Sequence, residues 1–202
     1  MLPDDEFRGT MKKILIIQGN PHPGSYCEAL ANAYYTAAQA NGYDAEILHL
    51  HSLQFNLNLE HGYHTRTPWE PCLEAAWHSI QQANHLVFVY PTWWGTMPAL
   101  LKGFFDRLFL PGKAFKYRDN SLFWDKYLKG KTARIVTTMD APRWYNYFFY
   151  HDAGIRALKT ATLQYCGISP VKVTVFDSVR NRQQEYLAKG LQKMAALGAA
   201  GR

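Results

Sequence analysis

The sequence is poor in cysteine. Cys27, Cys72 and Cys166 are its only three, widely spaced, odd in number and without a CxxC pair. That excludes a disulfide framework and a cysteine-based zinc site, and points to reduced thiols in a cytoplasm. No apolar run approaches the roughly 20 residues needed to cross a bilayer, and no signal-peptide pattern opens the chain. Acidic residues are outnumbered, 16 against 22 Lys and Arg, which leaves a formal net charge of +6. A basic balance suits anionic small molecules and phosphate groups. The basic residues are scattered, with no basic helix and no basic–aromatic recognition motif, so nucleic acid is not an expected partner. The chain has neither GxGxxG nor a Walker loop, and no internal repeat, low-complexity tract or linker. His49, His51, His61 and His64 offer no i, i+4 pair on a clear helix and no cysteine joins them, so no metal is expected. His78 and His85 read as helix-surface and strand-edge residues.

What is present is an ordinary apolar share, 48%, with an aromatic share of 15% in 202 residues. That length holds one domain with a sizeable core. Residues 1–10 lack periodicity and read as a flexible extension, with Met11 resembling a second start. Residues 11–202 read as one domain.

Short apolar runs alternate with helical patterns five times. Ile14–Ile17 is a buried strand ending in the turn-rich Gly19–Ser25, and a helix from Ser25 stops at Asn41-Gly42. A second strand spans Ala45–Leu50, followed by a poorly patterned stretch to Pro68. A helix covers Pro71–Ala83 with Leu73, Ala76, Trp77 and Ile80 inward. Leu86–Tyr90 has the composition of a strand buried on both faces. After the Trp93-Trp94-Gly95 turn, Thr96 is placed to cap a helix with Pro98 in its first turn. Met97, Leu100, Leu101, Phe104, Phe105, Leu108 and Phe109 form its apolar stripe. Asp106 and Arg107 lie off the stripe and read as a surface pair. Residues 111–128 read as an irregular loop, Ala133–Thr138 as a fourth strand, Ile155–Cys166 as a helix and Val171–Phe176 as a fifth strand. Asn181 with Gln184 resembles a capping box for the last helix. The pattern predicts an α/β, flavodoxin-like three-layer sandwich around a five-stranded parallel sheet of order 2-1-3-4-5.

Ligands of such sheets bind beyond the carboxyl ends of the strands, at the switch in strand order between the first and third. The Gly19–Cys27 loop feeds a helix N-terminus with free N–H donors, suited to a phosphate, and Ser25, Asn20 or His22 can add a hydrogen bond. Two adjacent tryptophans in the Pro91–Gly95 turn cannot both enter the core, so at least one lines the cleft. The end of the fourth strand, Thr137, Thr138, Met139 and Asp140, supplies a third wall with Trp144 and Tyr145 behind it. Three such loops make a pocket for a planar phosphorylated cofactor, and flavin fits best.

YPTWWGTMPALLKGFFDRLF, with GNPHPGSYCEAL before it and TTMDAPRWY after it, resembles the flavodoxin-like NAD(P)H:quinone oxidoreductases, the DT-diaphorase relatives. The likeness runs from Lys12 to about Leu197. It implies that Asn20, Ser25, Tyr26 and Cys27 hold the flavin phosphates, that Pro91, Thr92, Trp93, Trp94 and Gly95 lie against the ring, and that Thr137 and Thr138 close its pyrimidine side. The family's Tyr and His, six residues apart, map onto Tyr145 and His151 as the groups that stabilise the reduced ring. Two departures stand out. Met139-Asp140 replaces a glycine pair, and the long C-terminal extension of the animal enzymes is missing, which leaves FMN and FAD both open.

The resemblance implies a cytoplasmic enzyme that passes hydride from NADH or NADPH through flavin to a quinone-like acceptor, with the two half-reactions sharing one pocket. It implies a homodimer, for which exposed aromatics between Phe115 and Trp124 and between Trp144 and Tyr150 are suited. The alternatives are a flavin-binding regulatory subunit or an electron carrier of the same fold.

Overall fold

The computed structural model describes residues 11–202, so the expected extension at 1–10 lies outside the described residues. In chain order the main elements are β1 (Lys13–Gln18), α1 (Tyr26–Ala40), β2 (Asp44–His49), α2 (Pro71–Gln82), β3 (His85–Pro91), α3 (Ala99–Leu108), β4 (Phe115–Tyr117), β5 (Trp124–Lys126), β6 (Thr132–Thr138), α4 (Arg143–Tyr150), α5 (Ala153–Arg156), β7 (Val171–Phe176) and α6 (Gln184–Ala199). Five strands pair in the order β2-β1-β3-β6-β7, every pair parallel. Numbered within the sheet alone, this is 2-1-3-4-5, the flavodoxin-like order that the alternating pattern predicted.

Strand alternation divides the core into two layers. Leu15, Ile17, Leu86, Phe88, Tyr90 and Ile135 face α2 and α3, where Leu73, Trp77, Leu101, Phe104 and Phe105 meet them. Ile14, Ile16, Val87, Val89 and Val136 face the opposite layer, with Leu30, Ala31 and Tyr34 of α1 and Met194 of α6. β3 is buried along its whole length because it is central to the sheet and covered on both faces.

Several local expectations change. Thr96 does not cap α3: its N–H and C=O are engaged with Trp93 in a tight turn, and Pro98 takes the N-cap position. Residues 111–128 contain the antiparallel hairpin β4–β5, with Trp124 stacked on Tyr165 at 4.2 Å between centroids. The segment expected as one helix over 155–166 begins at Ala153 and widens into π-type turns over Ala157–Gln164, where Thr162 Oγ1 donates to the carbonyl of Ala157. Asn181 sits in a short 3₁₀ turn and α6 starts beyond it, at Gln184, so the capping box does not form.

The largest correction is Arg107, which is buried rather than paired at the surface. Asp106 pairs instead with Lys102, one turn earlier, at 2.6 Å. Arg107 is 1% exposed, and its guanidinium fastens the unpatterned stretch after β2 onto α3. Nη1 donates to Asn56 O at 2.5 Å, and Nη2 donates to Pro68 O and Glu70 Oε2, both at 2.8 Å. The indole N–H of Trp69 donates back to Arg107 O at 2.7 Å. His85 is likewise buried rather than at an open strand edge, with Nδ1 2.7 Å from Thr132 Oγ1.

Candidate active site

The carboxyl ends of β1, β3 and β6 lie side by side, because Gln18 pairs with Val89 and Pro91 with Thr138. The loops that leave them therefore meet. From β1 the chain turns through Gly19–Gly24 to Ser25, which caps α1 by accepting from Glu28 N–H at 3.3 Å. Asn20 is buried and orders the loop by accepting from the His22 N–H at 3.0 Å. The N–H groups of Tyr26 and Cys27 open the helix, where no intrahelical acceptor exists and the dipole favours an anion.

The side chains of these two residues are committed elsewhere. Tyr26 Oη donates to Leu187 O at 3.0 Å, and burial raises its pKa to about 12. Cys27 Sγ lies 3.3 Å from Thr138 Oγ1, and burial pushes its thiol up to about 11, only partly offset by the hydrogen bond to Thr138. Tyr26 and Cys27 therefore offer this loop backbone donors only.

The second wall is the turn Trp93–Thr96. Trp93 N–H donates to Thr96 O at 2.8 Å and Thr96 N–H returns to Trp93 O at 3.0 Å. Trp94 and Gly95, the central residues, have φ of +50° and +75°, the signature of a type I′ turn. The Trp93 N–H is spent on closing the turn, which leaves those of Trp94 and Gly95 to face outward. The Trp94 ring is fully exposed and Trp93 about half exposed, so neither indole enters the core.

Thr92 ties this wall to the third. Its N–H donates to Thr138 O at 2.7 Å, and its hydroxyl lies 2.8 Å from that of Thr137. Thr137 and Thr138, at the end of β6, are buried, with their hydroxyls engaged against Thr92 and Cys27. They hold the three loops in register. Met139 N–H donates to Phe176 O at 2.9 Å, so the chain after Thr138 stays anchored to β7 before it departs.

α4 and α5 form the side of the cleft. Tyr145 stacks on Phe149 at 4.7 Å between centroids. A hydrogen bond shared with Tyr150 raises the pKa of its phenol. His151 ends α4 in a left-handed conformation and is exposed. Asp152 follows at the start of α5, yet its carboxylate turns back to Arg143 and Asn146 instead of capping that helix. The Arg143 guanidinium holds the Asp152 carboxyl below the usual carboxylate range.

A cleft of about 550 Å³ opens between Trp94, Gly95, Thr96, Tyr150, Ala153, Gly154 and Ala157. Of the expected residues it borders Trp94 and Gly95 directly, and it adds Tyr150 and Gly154, which sequence reading missed. Gly154 is required by close approach: a Cβ there would stand 2.2 Å from Gly95 O and 2.7 Å from Thr96 Cα. The only sequence signal was the small pair Ala153-Gly154 directly after an aromatic run. Trp144, Tyr147, Phe148, Phe149 and Tyr150 are all exposed beside the cleft.

Known proteins share this fold. An uncharacterized NAD(P)H oxidoreductase of Haemophilus influenzae is 28% identical, over 91% of this chain and 96% of its own. The mouse ribosyldihydronicotinamide dehydrogenase [quinone] is 26% identical over 77% of each. The solved structure of Smu.1420 from Streptococcus mutans superposes with a TM-score of 0.76 at 32% identity, covering 93% of this chain and 99% of that one. The FMN complex of an FMN-dependent NADH-azoreductase from Bacillus anthracis superposes with a TM-score of 0.76 at 16% identity, covering 94% and 99%, a likeness of fold. A family model described as flavodoxin-like fold matches residues 12–197, and the chain belongs to that family.

Proposed function

We propose that this chain is a flavin-dependent NAD(P)H oxidoreductase that reduces quinones or similar aromatic acceptors by ping-pong hydride transfer, donor and acceptor taking turns in one cleft. The observation that carries the reading is the meeting of three loops at the ends of β1, β3 and β6. Helix N–H donors open one of them and an exposed Trp-Trp-Gly turn forms the next. Relatives named for NAD(P)H and quinone chemistry support it.

Bound there as FMN or FAD, the flavin supplies two-electron hydride chemistry, while the protein supplies orientation and electrostatics. The N–H groups of Ser25, Tyr26 and Cys27, with Asn20, hold its phosphate end. Pro91, Thr92, Trp93, Trp94 and Gly95 would hold the ring, and the N–H groups of Trp94 and Gly95 would be donors for it. Thr137 and Thr138 brace the pyrimidine side. Tyr145, through its shared hydrogen bond with Tyr150, and His151 supply donors for the negative charge that reduction brings. The exposed aromatics of α4 pack against a second copy, making a homodimer. The three free cysteines suit a cytoplasmic setting. No described helix is long and apolar enough to cross a membrane.

An absorbance spectrum of the purified protein tests the premise. A colourless protein that takes up neither FMN nor FAD would overturn it. Bleaching by NADH or NADPH without a partner protein, then recovery on adding benzoquinone, is the expected enzyme behaviour. An electron carrier would need a partner for the first step. Tyr145→Phe is expected to slow reduction more than it weakens flavin binding; unchanged reduction kinetics would remove Tyr145 from the chemistry.

A further inference from the structure

We propose a zinc(II) site at the rim of the sheet, formed by Glu28, His49 and His51. His49 ends β2, His51 follows in the 3₁₀ turn Leu50–Ser52, and Glu28 comes from the first turn of α1. Sequence spacing showed only an i, i+2 histidine pair; the fold brings in the carboxylate from a different element. One ligand atom from each of the three lies within 4.8 Å of the other two. His49 Nδ1 is already 3.6 Å from Glu28 Oε1. Tetrahedral zinc with bonds of about 2.0–2.1 Å sets its ligand atoms roughly 3.4 Å apart. Contraction of the set from within 4.8 Å to that spacing asks for shifts of at most about 1.4 Å between ligand atoms.

The nitrogens point to a ligand independently of their proximity. His49 Nδ1 and His51 Nε2 are both shielded from solvent, and among the described residues neither has a hydrogen-bond partner. A buried ring nitrogen without a partner is uncommon and calls for an explanation. The carboxylate is pre-oriented, because Glu28 Oε2 accepts from Gly24 N–H at 2.5 Å and leaves Oε1 for a metal. The turn that carries His51 is fixed by Ser52 Oγ, which donates to His49 O at 2.8 Å. Gln18 pairs with His49 in the β1–β2 register, so the two side chains share a face of the sheet. The Gln18 side chain is wholly buried, and neither of its polar atoms has a partner among the described residues. Three protein ligands leave one zinc position for water, which this amide, one strand over on the same face, would hydrogen-bond.

Ligand chemistry selects the ion. Two imidazoles and a carboxylate suit zinc and neighbouring first-row divalent ions. Calcium and magnesium require oxygen-rich shells. The site borders the Gly19–Cys27 loop rather than the Trp94–Gly154 cleft, and joins the end of β2 to the start of α1.

Zinc chloride titrated calorimetrically into the protein as purified is expected to bind at one ion per chain. Two-dimensional NMR of the imidazole nitrogens is expected to move His49 Nδ1 and His51 Nε2. Glu28→Gln and His51→Gln are each expected to weaken binding at least about tenfold, while His64→Gln leaves it unchanged. Absence of stoichiometric binding would overturn the proposal, as would unchanged affinity in a His49→Gln/His51→Gln double variant. Shifts falling on His22, His61 or His64 would do the same. Should a variant lose its native circular dichroism, the NMR result on the unaltered protein decides alone.

Discussion

Arg107→Met removes the guanidinium that fastens the stretch after β2 to α3, and keeps most of the buried volume. The loss can be worked from the contacts. The carbonyls of Asn56 and Pro68 lose this donor together, and the Glu70 carboxylate loses its charged partner, keeping the Asn56 N–H. Breaking a buried ion pair by removing one partner costs about 3–5 kcal/mol. Glu70 is 31% exposed against 1% for Arg107, so water recovers part of that, and the expected cost lies near the lower end, about 3 kcal/mol. For a chain of this size that corresponds to a fall in Tm of roughly 6–12 °C. Lys102→Ala is the internal control, since its pair with Asp106 is exposed on both sides and worth at most about 0.5 kcal/mol.

Urea unfolding followed by circular dichroism should show a lower midpoint at an unchanged m-value. The pair also has an acid signature. Burial pushes the Glu70 carboxyl up, but the Asn56 N–H and Arg107 more than reverse this and hold it below its ordinary value. A carboxyl lowered on folding stabilises above its unfolded pKa, and that contribution disappears as pH falls through the folded value. Arg107→Met should lose the part of this acid sensitivity that Arg107 supplies. A cost below about 1 kcal/mol, indistinguishable from the Lys102 control, would refute the reading of Arg107 as the fastening residue.

Three further outcomes are expected. Burial, with Lys12, Arg134 and Lys172 nearby, pushes the His85 imidazole down to about 3, so the fold holds it neutral. Stability should then decline by up to about 1.4 kcal/mol per pH unit between roughly pH 6.5 and 3, and His85→Gln should flatten this part of the acid limb in urea midpoints measured at pH 7 and 5. Cys72, partly exposed, should react first with a thiol reagent in the native state. Cys27 and Cys166, buried with thiols raised to about 11 and 12, should label only as fast as the protein unfolds; equal native rates for all three would contradict the packing. Gly154→Ala forces a Cβ against the Gly95 and Thr96 backbone, for about 1–3 kcal/mol of lost stability and weaker flavin uptake. Retention of both in thermal melts and flavin titration would mean the turn and α5 move apart freely.

The sheet was legible because its strands are short apolar runs punctuated by Gly, Pro and Asn, and the α1 and α2 faces followed from helical period alone. Local competition decided what was not legible. Thr96 has the chemistry of a cap, but turn closure with Trp93 claims its N–H and C=O. Arg107 is off the apolar stripe, yet it is buried because a distant segment supplies carbonyls and a carboxylate that no window around it contains. In the site, the three loops could be placed from topology. The division between side chains that face a ligand and those that hold the walls could not, since the Tyr26, Thr137 and Thr138 hydroxyls all turn to protein partners.

The turn at Trp94 and Gly95 carries a cost to the fold. Its geometry asks for Asn-Gly or Gly-Gly. A bulky L-residue at the first central position costs roughly 1–2 kcal/mol, the price of the left-handed conformation. Replacing Trp94 by Gly would relieve that strain, offset in part by the greater freedom of glycine in the unfolded chain, while removing a flat indole wholly open to solvent. The indole is therefore held at a cost to the backbone, and no core contact of its own offsets that cost.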